Sequence, residues 1–249
     1  AGAGGGEFNI GGTGGNIDLS GEAFSLSLVG TSSDVVFNLA VSDTLTLPDD
    51  ETFNFDIGSG EITSDGDTTA DITIGGSGTI TFTSSGAVGV SGTELNTVVS
   101  NLGVSTTTGD VFIDNTGALV ISGAFSVGVN DFTLENTADV TQSAAITAAN
   151  LKLLGEGSYT LNQANVVDNL AADIDGTLQL TNSKDLVVTT VNGTDGITTD
   201  DNNVTIDVGN NDLTVSEAIT TGTGSLTLNV GTGEFTKNDG ATITNSGGL

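Results

Sequence analysis

The stretch Leu151-Lys152-Leu153-Leu154-Gly155-Glu156-Gly157-Ser158-Tyr159-Thr160-Leu161 places two short apolar triplets eight residues apart, with a glycine-rich corner between them. In each triplet the outer residues are large and apolar and the middle one is polar. That is the period-2 alternation of a half-buried strand, not the 3.6 period of a helix. The intervening Gly, Ser and Glu suit a turn. One strand plus one corner therefore takes eight residues, and the chain is expected to turn repeatedly through short strands.

The same unit recurs in both directions. Triplet starts lie eight apart at Leu45 and Phe53, Ile72 and Ile80, Val111 and Leu119, and Leu178 and Leu186, with further triplets from Phe8-Asn9-Ile10 to Leu226-Thr227-Leu228. The one helix-like stretch, 143–150, is short and uncapped, and is expected to be strand and corner. A longer repeat lies above the triplets: the octapeptides starting at Val35, Val98 and Val166 match at offsets of 63 and 68, and place Asn38, Asn101 and Asn169 at the same point as candidate buried corner amides. Approximate internal units are 17–71, 72–150 and 151–228. The anchors Phe132, Leu151, Leu178, Val204 and Leu226 are separated by 19, 27, 26 and 22 residues. Units that cannot bury a face alone but repeat at such a period imply stacked coils. The expected fold is all-β, one continuous parallel β-solenoid over 1–249 with about 20–27 residues per coil, each of three strands. Both ends are expected to continue or to stack.

Composition narrows the function. Three Lys, no Arg and no His stand against 32 Asp and Glu, a formal charge of −29, which repels nucleic-acid phosphates and anionic lipid. Without His, Cys or Arg, a Ser-His or Cys-His nucleophile, a thiolate or imidazole metal site and an arginine clamp are all excluded. Disorder fails as an explanation, because hydrophobic residues make up 36% and a single Pro is present. No apolar run approaches the ~20 residues of a membrane span, and no leader pattern opens the chain. The absence of Met points to a mature or excised piece of a longer precursor.

Residues 151–230, and more loosely 95–150, resemble the β-strand repeats of large bacterial filamentous-haemagglutinin-like and autotransporter-type exoproteins. The resemblance rests on Gly155–Leu161, Asn165–Ala172, Gly176-Thr177-Leu178, Thr190–Thr199, Val204-Thr205-Ile206 and Thr221–Leu228. It implies a right-handed parallel β-helix, export to the bacterial surface or medium, and adhesion to host or neighbouring-cell surface or matrix components, or service as a surface fibre. The family's amino-terminal secretion domain has no counterpart in these residues.

Candidate sites are few, and the expectation is no catalytic centre, no bound cofactor and no metal ligand set. Calcium is the cation to test first, because oxygen ligands are plentiful. Gly11–Leu19 is a near miss to the nonapeptide calcium repeat, with Asn16 at the sixth position and Asp18 where an apolar residue belongs. Asp65–Asp71 and Asp200-Asp201-Asn202 are oxygen-rich but lack EF-hand spacing, and read better as solvated corners. For a carbohydrate-active solenoid, Asp49, Asp50 and Glu51 beside Pro48 are the best carboxylate cluster. Asn192 and Asn203 begin glycosylation sequons. Tyr159 reads as core, and Lys152, Lys184 and Lys237 as solvent-facing. The expected role is a non-enzymatic, secreted or surface-displayed rod; a self-assembling filament and a carbohydrate-active β-helix stand as alternatives.

Overall fold

Three strands, three corners and a step onto the next turn form the repeating motion of the backbone. The computed structural model describes residues 44–246 except 48, 57, 58, 65, 67, 85, 105–107 and 124, together with the strands Phe8–Ile10, Ile17–Asp18, Leu26–Val29 and Val35–Phe37. Among the described residues every element is a strand or turn, and none is a helix. Residues 143–150 are corner and strand, as the triplets on either side require.

The chain is a parallel β-solenoid, with turns stacked about 21 residues apart. Three columns of strands run along it. On the first face Val111 stacks on Phe132, then Leu151, Leu170, Val188 and Val215. The second carries Ile113, Leu134, Leu153, Ala172, Ile197, Ile219 and Ile243. The third carries Leu119, Val140, Tyr159, Leu178, Val204 and Leu226. Rungs in such a ladder lie ~4.8 Å apart, so like side chains meet like side chains and seal one aliphatic interior. Each buried side chain contributes at ~25 cal/mol per Å² of apolar area removed from water, and the column arrangement lets a three-residue strand bury two of its three side chains. In the middle of the chain the first and second faces merge into continuous strands, Val111–Asn115, Asp131–Asn136 and Ile146–Gly155.

Turn length is not constant. Steps run from 17 residues, Asn165 to Asn182, to 28, Ile17 to Leu45. This corrects two sequence expectations. The anchors Phe132 and Leu151 stack, but Leu151 does not stack on Leu178: its partner is Leu170, and Leu178 lies over Tyr159. The interval of 27 is one turn of 19 plus the eight-residue move to another face. The octapeptides also occupy unlike places. Val35 pairs with Ile62 on the first face, Asn101 lies on the third face beside Thr79 and Val120, and Asn169 lies on the first beside Asn150 and Val187. Offsets of 63 and 68 fall between whole numbers of turns when turns vary this much.

The corners set how closely turns approach. A Cβ on Gly157 would lie 1.7 Å from the Ala138 carbonyl oxygen of the turn below, so only glycine lets the two corners nest. One excursion leaves the coil. Thr190–Val191 and Thr194–Asp195 pair antiparallel around Asn192 and Gly193, at φ 46° and 80°, the paired positive-φ residues of a tight hairpin. The hairpin folds over the outer surface: Lys152 Nζ donates to the Asn192 carbonyl at 3.0 Å, and Val191 is buried.

Candidate functional site

Part of the acidity is used between turns. The Oδ1 of Asp50 accepts from Ser77 N and Oγ at 2.7 and 2.8 Å, Asp110 from Asp131 N at 2.9 Å, Asp139 from Ser158 N at 3.0 Å and Asp201 from Thr223 N at 2.8 Å. Asp185 accepts from Asp212 N at 3.0 Å, and Asp212 in turn from Glu234 N at 2.7 Å. Each is a corner carboxylate that takes the backbone N–H of the corner one turn later. A charged acceptor on a backbone donor is a strong hydrogen bond, so these groups staple adjacent turns. The two Ser77 bonds hold the Asp50 carboxyl below the usual carboxylate range.

Inside the corners, amides do the same work. Asn115 and Asn136 are fully buried. Asn115 Oδ1 accepts from Thr97 Oγ and Val99 N at 2.9 and 3.1 Å, and its Nδ2 donates to Asn136 Oδ1 at 2.9 Å. Asn136 Nδ2 donates to the Gly117 carbonyl at 2.9 Å and to that of Ala138. A second ladder joins Gln142, Asn165 and Asn182, where Asn165 Oδ1 takes Gln142 Nε2 and Ile146 N at 2.9 and 2.8 Å, and Asn182 Oδ1 takes Val167 N at 3.0 Å. A buried amide is tolerable when its donors and acceptors are met, and these are.

The arrangement with most chemical potential lies on the outer surface of the second face. In register there, Asn96 neighbours Asp114, Asp114 neighbours Glu135, and Leu154 and Asp173 follow. The adjoining outward row, Phe112, Thr133, Lys152 and Ala171, is partly roofed: Phe112, Thr133 and Ala171 are 7%, 2% and 0% exposed. Asp114 is half-buried, Glu135 is exposed, and Glu94 directly follows the Val90–Thr93 bridge that closes the turn at Ser91 and Gly92. Burial, then repulsion by Glu135, then repulsion by Glu94, raise the Asp114 carboxyl from 3.8 to about 6. Two outward carboxyl groups one rung apart, one holding its proton well above the ordinary range, could act as an acid beside a carboxylate.

This shift sets a pH dependence. Between about pH 4 and 6 the unfolded chain releases a proton that folded Asp114 keeps, so the stability associated with this group is full below pH 4 and is lost as pH rises through 6. Discounted for the half of the group still open to water, the effect is about 1 kcal/mol. Asp114→Asn is therefore expected to raise the urea midpoint at pH 7.5 and leave it unchanged at pH 3.5. Equal midpoints at pH 7.5 would remove the claim.

No protein-family model, curated protein or solved structure matches this chain. Its site must be read from its own residues.

The structure separates the sequence candidates. Asp49 and Asp50 sit on an exposed turn, Glu51 is half-buried, and Pro48 lies outside the described residues, so the cluster beside it is a corner whose Asp50 is committed to Ser77. Asp65 and Asp67 lie outside the described residues, as do 11–16; Asp71 is buried, taking Asn96 N at 2.9 Å and Ser64 Oγ at 3.3 Å. Asp200, Asp201 and Asn202 form a corner at the surface in which Asn202 bonds the carbonyls of Asp175 and Asp200. Asn38 lies outside the described residues. Asn101 is half-exposed and donates to the Ser77 carbonyl at 2.8 Å, and Asn169 donates to Asn150 Oδ1 at 2.7 Å. The deeply buried amides are instead Asn115, Asn136, Asn165 and Asn182. Asn192 and Asn203 are exposed, the latter accepting from Ser225 N at 2.8 Å. Tyr159 is core: its hydroxyl lies 2.7 Å from the Leu154 carbonyl, and burial pushes its pKa up. Lys184 pairs with Asp168, both part-exposed. Lys237 is exposed, but its register with Val215 sets it in an inward-facing column and not on the outer surface. Among the described residues, no group of three or more His, Cys, Asp or Glu is placed to hold a metal ion.

Proposed function

We propose that the chain is a non-enzymatic structural or adhesive rod of a bacterial surface or secreted protein, in keeping with its resemblance to filamentous-haemagglutinin-like repeats. The observation that carries the proposal is where its polar chemistry goes. Corner carboxylates accept backbone N–H groups of the next turn, and buried amides satisfy one another. Such a chain gains length and rigidity from groups that an enzyme would aim at substrate. Its partners are then host-cell, neighbouring-cell or matrix components presented along a laterally acidic surface. Isolated protein is expected to appear as short rods of uniform width by electron microscopy and to coat matrix-bearing surfaces saturably. Compact round particles would contradict the rod.

One observation favours a second reading, a carbohydrate-active β-helix. Asp114 and Glu135 stand one rung apart, ~5 Å in a parallel ladder, near the carboxylate separation of retaining glycosidases. Against it, the exposed large hydrophobics among the described residues are Val90, Val129 and Phe235, and none offers an aromatic platform beside the pair. The decisive measurement is reducing-end release from neutral and acidic polysaccharides. The rod reading expects none above the Asp114→Asn background, and release abolished by that substitution would replace it.

A further inference from the structure

The outward side of the third face carries little of the molecule's charge. Among the described residues, the strand segments that form this face, from Leu26–Val29 to Leu226–Asn229, hold two carboxylates, Asp56 and Asp207, both at strand ends, and no lysine. The outward rows of the other two faces hold Asp131 and Lys152, and Asp114, Glu135 and Asp173. At a formal charge of −29, copies repel one another wherever their carboxylates meet. The third face is where two copies can touch with least repulsion. A middle row of outward side chains runs along it in register. Around Thr141 lie Val120 one rung below and Thr160 one rung above. Next come Asn101 below and Gln179 above, then Thr79 and Thr205, then Thr52 and Thr227. Each is part-exposed or exposed. This stretch reads nearly the same in both directions from Thr141: a branched side chain, an amide, then two threonines. A surface with that symmetry is self-complementary about a two-fold axis.

We infer that this face pairs side by side with the same face of a second copy, the two rods antiparallel about a two-fold axis that runs along the strand at Thr141. Val120 of each copy then packs on Thr160 of the other, Asn101 on Gln179, and Thr79 on Thr205. Amide meets amide and hydroxyl meets hydroxyl, each able both to donate and to accept, so the polar groups that lose water regain partners. Val120 meets the methyl group of Thr160. In-register rows of identical side chains, amides among them, are the kind that interdigitate into a dry contact between two sheets. Nine rungs span ~38 Å, and with the strand width beside them they cover ~1,000 Å² over both copies, the size of a weak and reversible interface. The same axis brings the two copies of Asp139 toward each other at the adjoining corner, where the carboxylate is exposed and accepts from Ser158 N at 3.0 Å. That like-charge approach limits how tightly the pair can hold.

The inference rests on the rod reading and is tested with the full chain by sedimentation velocity and electron microscopy at 0.5 M NaCl, where repulsion between the acidic flanks is screened to ~4 Å. Wild type is expected to pass from single rods to pairs of doubled width as its concentration rises. Thr160→Asp sets a carboxylate against Val120 of the other copy and should weaken pairing at least about tenfold, with circular dichroism unchanged because the position faces outward. Adding Val120→Lys to Thr160→Asp places opposite charges against each other twice across the axis and should restore pairing. Thr214→Asp alters an outward threonine of the first face, between Val187 and Thr236, and should pair as wild type does. Asp139→Asn should pair more tightly. Wild type that stays single at every concentration, Thr160→Asp that pairs like wild type, or a double variant that does not recover overturns the two-fold contact and leaves the rod standing. Round particles in every sample defeat the rod reading itself.

Discussion

Phe55→Ala is expected to lower unfolding free energy by about 4 kcal/mol, the largest single effect in the core. Phe55 is completely buried on the third face, in register between Leu28 below and Phe82 above. Its ring lies 4.3 Å from that of Phe53, tilted by 37°, and 5.3 Å from that of Phe82, stacked at 21°. Truncation leaves a cavity between two rungs and removes both aromatic contacts, which add about 1 kcal/mol to simple burial. A solenoid interior closes over such a gap poorly, because each rung is held in register by the two around it. Phe55→Leu, which keeps most of the volume, is expected to cost no more than about 1.5 kcal/mol. The urea midpoint of the two variants, read with the slope of the transition, tests this; similar midpoints for Ala and Leu would show that the column does not carry the load assigned to it.

The second large effect is polar. Asn136→Ala is expected to cost about 3 kcal/mol, since it strips the donor from the Gly117 and Ala138 carbonyls and the acceptor from Asn115 Nδ2 at a fully buried corner. Asn136→Asp is the sharper probe. It has the same shape, but it sets a carboxylate oxygen against those two carbonyls and buries a charge, so it is expected to be at least as damaging at pH 7. An Asn136→Asp variant as stable as wild type at neutral pH would show that the ladder contributes nothing to the fold. The same amide swap at exposed Asn203, which is an acceptor only toward Ser225, should be nearly silent.

The inward face is written plainly in the chain. The outer residues of the triplets at Leu45, Phe53, Ile72, Ile80, Phe132, Leu151 and Leu178 are all buried, because alternation records which side of a strand is dry. The column to which each triplet belongs is not written there. Alternation has no memory of the turn below, and turns of 17 to 28 residues scatter any fixed period. That is why Leu151 and Leu178 look like successive rungs and why the matching octapeptides fall in unlike places. The amide ladder is hidden for a related reason: an Asn at a strand end reads as a corner residue. A signal is present in Asp114-Asn115-Thr116 and Glu135-Asn136-Thr137, acid, amide and threonine repeated at an interval of 21. The same interval brings Asp114 beside Glu135. Neither carboxylate stands out alone, and only the register makes them neighbours. Lys237 reads as solvent-facing because a charged residue near a turn usually is; its place in the inward column follows from Val215 one turn earlier.

The Thr190–Asp195 hairpin leaves the coil after Val188, and the coil resumes at Ile197 with the ladder above unbroken, Val188 over Val215 and Ile197 over Ile219. The scaffold thus tolerates a sideways outgrowth without losing count of its own layers. In such a molecule novelty accumulates on the flank while the axis keeps its form. A foreign loop spliced between Val191 and Thr194 would ride as a passenger, displayed at a fixed height along the shaft.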